Sequence, residues 1–394
     1  MPQLLVIAHT WPEPTAWSAG RYMTQLLESF RGHGWRITVA SAAATGPHKS
    51  ALGVDELAIS PGALPEGISA PDVVLFDHFL MEEQFAGPVA QRYPQALRML
   101  AGNGLQSLRE ARQQLLRRRL VEGLDPNDFG ALFATPGPDL FRQMAPAATT
   151  QREVAAIWRC DLTLLATQRE IDLLVNGFGV ADYLLHHCPP LAGPLHQPLP
   201  SFGERQHFVS FGHFGQAAYH DALLWMKHNL WPMLRRRLPD ARLQLYGTGP
   251  AAKTMALHAP DEGFHVLGQA EDPQAAMASA RVCLAPLRFG AGVVGELMDA
   301  LRCGTPSVTT PVGAEGLQTH RPWPGGIATS TEELAAQAVR LHSDEAAWQQ
   351  AQEACAPLLA ARRDPVLLRR VEHALQHLEE QRLYNFTGAM LRRR

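Results

Sequence analysis

The stretch Val282-Cys-Leu-Ala-Pro-Leu-Arg-Phe-Gly-Ala-Gly-Val-Val-Gly-Glu-Leu-Met-Asp-Ala-Leu-Arg-Cys-Gly-Thr-Pro-Ser-Val-Thr-Thr310 decides how the chain is read. Its first four residues are an apolar run that predicts a buried strand over 282–285. A loop carrying Gly290 and Gly292 follows, and the spacing predicts a helix over 293–303. The stop at Cys303-Gly-Thr-Pro306 precedes a second short strand, 307–310. Strand, glycine-rich turn, helix and strand make a βαβ unit of a parallel sheet. The helix opens with N–H groups that lack intrahelical partners, and its dipole adds positive potential there. Phosphate is the ligand that such a turn favours, with glycines allowing close backbone approach.

The same rhythm extends in both directions. Upstream, strands are expected at 207–211, 242–246 and 264–267, with helices at 218–238 and 274–279 and a turn at Gly247-Thr-Gly249. Downstream come the loop 312–316 and helical stretches at 332–342, 345–361 and 366–381. An earlier βα series has strands at 4–8, 36–42, 73–76, 97–100 and 162–166. Its helices are expected at 20–31, 82–92, 105–121, 152–159 and 170–176. Residues 125–146 are Pro/Gly-rich and read as a loop or inserted excursion. Pro189, Pro190, Pro194, Pro198 and Pro200 crowd 188–206, which reads as a linker. The expected organisation is an α/β chain of two parallel-sheet domains, 1–187 and 207–363, followed by 364–394. Ligands of open α/β sheets bind beyond the carboxyl ends of the strands. Two such sheets facing each other would place that crevice between domains.

Composition narrows the function. The 394 residues are 46% hydrophobic and 19% charged, as in a soluble globular chain rather than a disordered one. Of 35 Lys+Arg, only Lys49, Lys227 and Lys253 are lysines, and no G-K-[ST] exists, which excludes a P-loop. A net charge of −3 argues against a dedicated nucleic-acid binder. The basic run Arg117-Arg118-Arg119 reads as a solvated helix face or as a patch for an anionic partner. Five scattered cysteines without C-x-x-C give neither a disulfide framework nor a zinc ribbon. No metal site is expected: there is no D-x-D, and His186-His187-Cys188 lacks further ligands. The first residues lack a basic n-region and no window reaches a spanning length, so a cytoplasmic protein is expected.

Several motifs together resemble a known family. Arg-Phe-Gly-x-Gly at 288–292, a helix, Cys-Gly-Thr-Pro-Ser-Val-Thr-Thr at 303–310 and Gly-Ala-Glu-Gly at 313–316 resemble the donor-binding half of GT-B glycosyltransferases. Within these the likeness is to the bacterial family 4 (group 1) type. Val209-Ser-Phe-Gly212, Leu245-Tyr-Gly-Thr-Gly-Pro250 and the early loop carrying Gly20 also match. The resemblance implies two Rossmann-like domains facing a central cleft, with a C-terminal helix crossing back to the first. It implies a nucleotide-diphosphate sugar as donor, no further cofactor, and an acceptor (glycan, lipid-linked or small molecule) entering from the first domain.

It also assigns residues. Gly212, His213, Gly247 and Gly249 would approach the donor from strand ends. Arg288, Gly290, Ala291, Gly292, Val293 and Val294 would surround its phosphates, with Arg288 as the catalytic cation, and Asp299 would bind the ribose. In the first half, Asp77 and His78 end a strand, where they either orient an acceptor hydroxyl or serve structure. His9 and Trp11 either touch an acceptor or pack.

The sequence departs from the family pattern at several of these places. Gly215 stands where relatives carry an arginine, and Val294 and Glu296 stand near the position of a lysine. Ala291, eight residues before Asp299, replaces the first of two paired glutamates. Glu296 is expected to add like charge beside a phosphate. Three functions follow: a metal-independent glycosyltransferase of hexosyltransferase type, a catalytically weakened GT-B binding or regulatory subunit, and an NAD(P)-dependent oxidoreductase. The last rests on Gly290, Gly292 and Gly295 spelling G-x-G-x-x-G, with Glu315 beyond them. Its loop follows the fourth strand of its half rather than the first, and residues 287–289 lengthen the turn.

Overall fold

The computed structural model describes residues 1–12, 19–43, 53–60, 62–64, 67–102, 104–128, 130, 137–190, 193, 195–249, 252–360 and 366–392. Lys49, Pro194 and Pro250 lie outside the described residues. The chain divides into two compact units. The first comprises Met1–Leu108, Gly137–Leu191 and Asp364–Arg394, and the second Arg109–Pro136 and Ala192–Arg363.

Among the described residues the first unit is built on seven strands: β1 (Gln3–Ala8), β2 (Arg36–Ser41), β3 (Asp55–Ala58), β4 (Val73–Phe76), β5 (Leu97–Gly102), β6 (Leu162–Leu165) and β7 (Leu185–His187). They lie in the order β3-β2-β1-β4-β5-β6-β7, and every pairing is parallel. All four residues of β4 and of β6 are buried, as expected for strands covered on both faces. The core gathers Leu4, Val6, Tyr22, Phe30, Val73 and Met99 with Leu367, Val371 and Ala374 of the C-terminal helices. Those helices therefore complete the first unit's core. Asn385 of the Asn385-Phe-Thr387 triplet is buried, with its Nδ2 donating to the Trp158 carbonyl at 2.9 Å.

Among the described residues the second unit has six strands: β8 (Phe208–His213), β9 (Leu243–Thr248), β10 (Phe264–Gly268), β11 (Val282–Ala285), β12 (Ser307–Thr309) and β13 (Gly325–Ile327). Their order is β10-β9-β8-β11-β12-β13, again with parallel pairing. Arg109–Pro136 groups here, not with residues 1–187 as the sequence suggested. Its bonds explain why: the Thr331 hydroxyl donates to Asn127 Oδ1 at 2.8 Å, and the Gly130 N–H to the Thr329 carbonyl at 3.0 Å.

Other differences are local. A helix, Gly137–Met144, sits within the stretch read as a loop, and the expected loop after β12 begins as the short helix Pro311–Ala314. Thr310 caps that helix by accepting from the Gly313 N–H. All five cysteines are buried, and no disulfide joins them. Among the described residues, no helix is long and apolar enough to cross a membrane.

Candidate functional site

Strand order locates the sites before any side chain is considered. In each sheet the first strand has neighbours on both sides, and the crevice at such a switch point takes ligands at the carboxyl ends. In the first unit this point lies between β1 and β4, in the second between β8 and β11.

In the second unit the loop after β11 leads into the helix Gly295–Arg302, and the ends of β8 and β9 come together at His213, Gly215 and Gly249. Gly212 and Gly247 are register partners. A Cβ on Gly212 would stand 2.5 Å from Tyr219 Cδ1, and one on Gly247 would run into the Gly212 carbonyl. Both glycines are thus required by packing, independently of any ligand. His213 is exposed, beside Gly215 and Gly249, and a Cβ on Gly215 would come within 2.9 Å of the imidazole. The site presents an open imidazole where the family pattern led us to look for an arginine.

The loop 286–294 is held through two of its carbonyls and through that of Ala285 just before it. The Thr309 hydroxyl donates to the Ala285 carbonyl at 2.6 Å and the Thr310 hydroxyl to the Leu287 carbonyl. Arg112 donates from Nη1 to the Gly290 carbonyl and from Nη2 to Glu315 Oε2, each at 2.7 Å. Gly316 packs so closely that a Cβ would lie 2.5 Å from the Gly292 carbonyl. Gly292 itself has φ +77°, a conformation that favours glycine. The Leu287 and Gly290 carbonyls of the loop are turned to protein donors, and the helix Gly295–Arg302 begins with no side-chain cap. That is the electrostatic arrangement an anion requires.

Arg288 is placed differently from the sequence expectation of a free phosphate-binding cation. Its Nε and Nη2 donate to the two carboxylate oxygens of Asp221, at 2.9 and 2.7 Å, and its side chain is 8% exposed. The pair ties the loop to the helix Ala217–Trp225. Val293 and Val294 are buried, Gly290 packs on Val312, and Ala291 is half-buried. Asp299 lies one turn into the helix, with Arg302 Nη1 at 3.8 Å.

Glu296 corrects another expectation. Its side chain is buried and accepts from the Tyr219 hydroxyl at 2.9 Å. Burial pushes its carboxyl up to about 8 against the hydrogen bonds that lower it. At neutral pH it is protonated and adds no like charge to the helix start. Because its pKa is raised above the unfolded value, its contribution to stability is fully present below about 4.3 and is lost as pH rises through about 8. Glu296→Gln should therefore flatten the fall in stability between pH 5 and 8. At pH 8 it should be more stable than the parent by a few kcal/mol (order of magnitude). Urea unfolding at several pH values checks this, and parallel profiles for the two proteins would refute it.

Sequence reasoning missed Arg112, Tyr219 and Asp221. It also missed Arg109, half-buried on the helix Gln106–Val121, whose charge acts on the Tyr219 hydroxyl. The one available cue was Arg112's register. It falls four residues after Leu108 and four before Leu116, both buried.

In the first unit, the Asp77 carboxylate accepts the His9 N–H with both oxygens, at 2.7 and 2.8 Å. Burial holds it at about 7, against backbone bonds that include the Thr10 N–H. Asp77 thus anchors the loop after β1. His78 Nδ1 accepts the Leu80 N–H at 3.2 Å, and its ring centroid lies 5.7 Å from that of exposed His9. Trp11 is buried, and its Nε1 donates to the Ala43 carbonyl at 2.8 Å, which makes it a packing residue.

Comparisons with known proteins agree with this geometry. Residues 205–344 match the family model described as Glycosyl transferases group 1. No curated protein sequence matches the chain significantly. Among solved structures, Anabaena Alr3699/HepE in complex with UDP-glucose is similar with TM-score 0.64 at 12% identity, over 96% of this chain and 100% of that one. S. aureus TarM (G117R), in complex with Fondaparinux, alpha-GlcNAc-glycerol and UDP, has TM-score 0.67 at 8% identity, over 98% and 100%. A glycosyltransferase from Rickettsia africae has TM-score 0.57 at 9% identity, over 96% and 98%. The chain therefore has the GT-B fold, and over residues 205–344 it is similar to the glycosyl transferases of group 1.

Proposed function

We propose that the protein is a glycosyltransferase that takes its sugar from a nucleotide-diphosphate sugar bound by the second unit. The observation that carries this reading is the loop 286–294. Its Leu287 and Gly290 carbonyls are pinned to Thr310 and Arg112, and it leads into an uncapped helix start whose only first-turn acid is neutral. The diphosphate lies there, against Gly290, Gly292 and the first helical N–H groups. Asp299 accepts from the ribose, and exposed His213 faces the sugar side. Arg109 supplies positive charge, while Arg288 fixes the loop through Asp221. In the first unit, His78 and His9 serve the acceptor, and Asp77 positions them by holding the loop.

UDP-sugars are the first donors to test, because HepE and TarM are solved with UDP-glucose and UDP. The reaction is proposed to need no metal, on the absence of D-x-D from the sequence. Thermal unfolding with UDP-glucose, other nucleotide sugars, bare nucleotides, NAD and NADP, followed by donor consumption with and without EDTA, tests the assignment. A response to nucleoside diphosphates with donor turnover that survives EDTA is expected. Stabilisation by NAD alone would overturn the reading. The pairing of Arg288 with Asp221 also favours a second reading, a binding or regulatory subunit that has lost turnover. Stabilisation by nucleotide with no donor consumption would select it.

A further inference from the structure

A cavity of about 490 Å³ opens at the amino ends of the second sheet's strands, where β8 and β9 begin. It is distinct from the donor end, which lies at the carboxyl ends of the same strands. Its walls include His207, Arg237, Asp240, Arg242, Gln244 and His342.

The chemistry of these groups is biased towards donors. Gln244 Oε1 already accepts the Tyr246 hydroxyl at 3.0 Å, so what the side chain can offer the cavity is its amide N–H. His342 Nε2 lies 2.9 Å from the Gln206 carbonyl and must carry its proton there. His207 lines the wall, but its Nε2 is buried with no hydrogen-bond partner in the protein, so the ring reports on the cavity without bonding what enters it. Burial, then the neighbouring His342 and His265, pushes His207 down to about 4, so it is neutral near pH 7. The cations are Arg237 and Arg242, both exposed and neither in an ion pair among the described residues. Asp240 is the one acid in the wall. Two guanidiniums beside neutral donors suit an acceptor-rich dianion, since planar N–H forks match phosphate oxygens.

We propose that this cavity is a second ligand site, for a small molecule bearing a phosphoryl dianion, held by Arg237 and Arg242 with Gln244 and His207 on the wall. The proposal does not depend on nucleotide binding at the donor end. Titration of the full chain with inorganic phosphate, and separately with glucose 1-phosphate, is followed through the His207 imidazole resonances at low ionic strength. A saturable shift is expected, and an R237A/R242A double variant should bind roughly ten-fold more weakly. Tighter binding of glucose 1-phosphate than of phosphate would identify a phosphomonoester as the ligand, and equal binding would identify the free anion. The proposal is overturned if the shift never saturates, if the double variant responds as the parent does, or if saturating UDP abolishes it.

Discussion

Asp161→Ala is expected to destabilise the first unit by about 3–5 kcal/mol, the cost of removing one partner from a buried ion network. The side chain is 1% exposed and accepts from Arg382 Nε at 2.9 Å and Nη2 at 2.7 Å. It also accepts the Arg98 N–H at 2.9 Å, with Arg98 Nε at 3.6 Å and Arg392 Nη2 at 3.5 Å. Arg382 holds the Pro94 and Ala96 carbonyls as well, so one carboxylate fastens the helices Leu378–Tyr384 and Phe386–Arg392 beside β5. Without it, three guanidiniums face one another, and the nearby carboxyl that acts on Arg98, Glu82, is already paired with Arg159. Burial pushes the Asp161 carboxyl up, but the Arg382 hydrogen bond and the charges of Arg98 and Arg382 outweigh it and leave it lowered. Its stabilisation is therefore present above the unfolded value of about 3.9 and is lost as pH falls through the lower folded value. Urea unfolding, followed by both fluorescence and far-UV circular dichroism to separate the units, measures the effect. Asp161→Asn, which keeps an acceptor, should lose less. A loss under about 1 kcal/mol for the alanine variant would mean that packing, not charge, holds the C-terminal helices.

The fold was legible where the sequence is locally consistent. Residues 282–310 carry an apolar strand, a glycine turn, a helical period and a glycine stop in succession, and the structure places β11, the helix Gly295–Arg302 and β12 there. The strands β3, β7 and β13 escaped because they have four, three and three residues, with acidic, histidine or glycine content that gives no apolar run. The site was legible as backbone and not as side-chain pairing. Glycines show in a sequence, whereas the partners of Arg112 lie 178 and 203 residues away and that of Arg288 lies 67 away. The basic helix illustrates the limit. Arg117 and Arg118 are exposed, as a solvated face predicts, while Arg112 on the same helix fixes the glycine loop. Glu296 was misread because what neutralises it is burial, and the helix that helps cover it, carrying Tyr219, lies far away in sequence.

Asp221→Asn should weaken UDP binding about ten-fold and slow donor turnover about a hundred-fold, as much as Arg288→Ala does, because the pair acts as one clamp. Arg288 spends Nε and Nη2 on the Asp221 carboxylate in a bidentate bond, in a setting where its side chain is almost fully covered. Either substitution releases the loop 286–294 from the helix Ala217–Trp225. A drift of about 1 Å in the N–H groups that meet the diphosphate suffices for a loss of this size. A direct cation makes the opposite forecast. If Arg288 itself neutralises the leaving diphosphate, removing its competitor at 221 frees the guanidinium, and Asp221→Asn then tightens UDP binding while Arg288→Ala alone is damaged. Calorimetric UDP affinities and donor-consumption rates for both single variants and the double variant distinguish the two. A double variant no worse than either single one identifies the clamp, and additive losses identify independent roles. Thermal unfolding of the same three proteins separates a loosened loop from a loosened unit. Only the clamp predicts that Asp221, which carries the wrong charge to touch a phosphate, is needed to hold one.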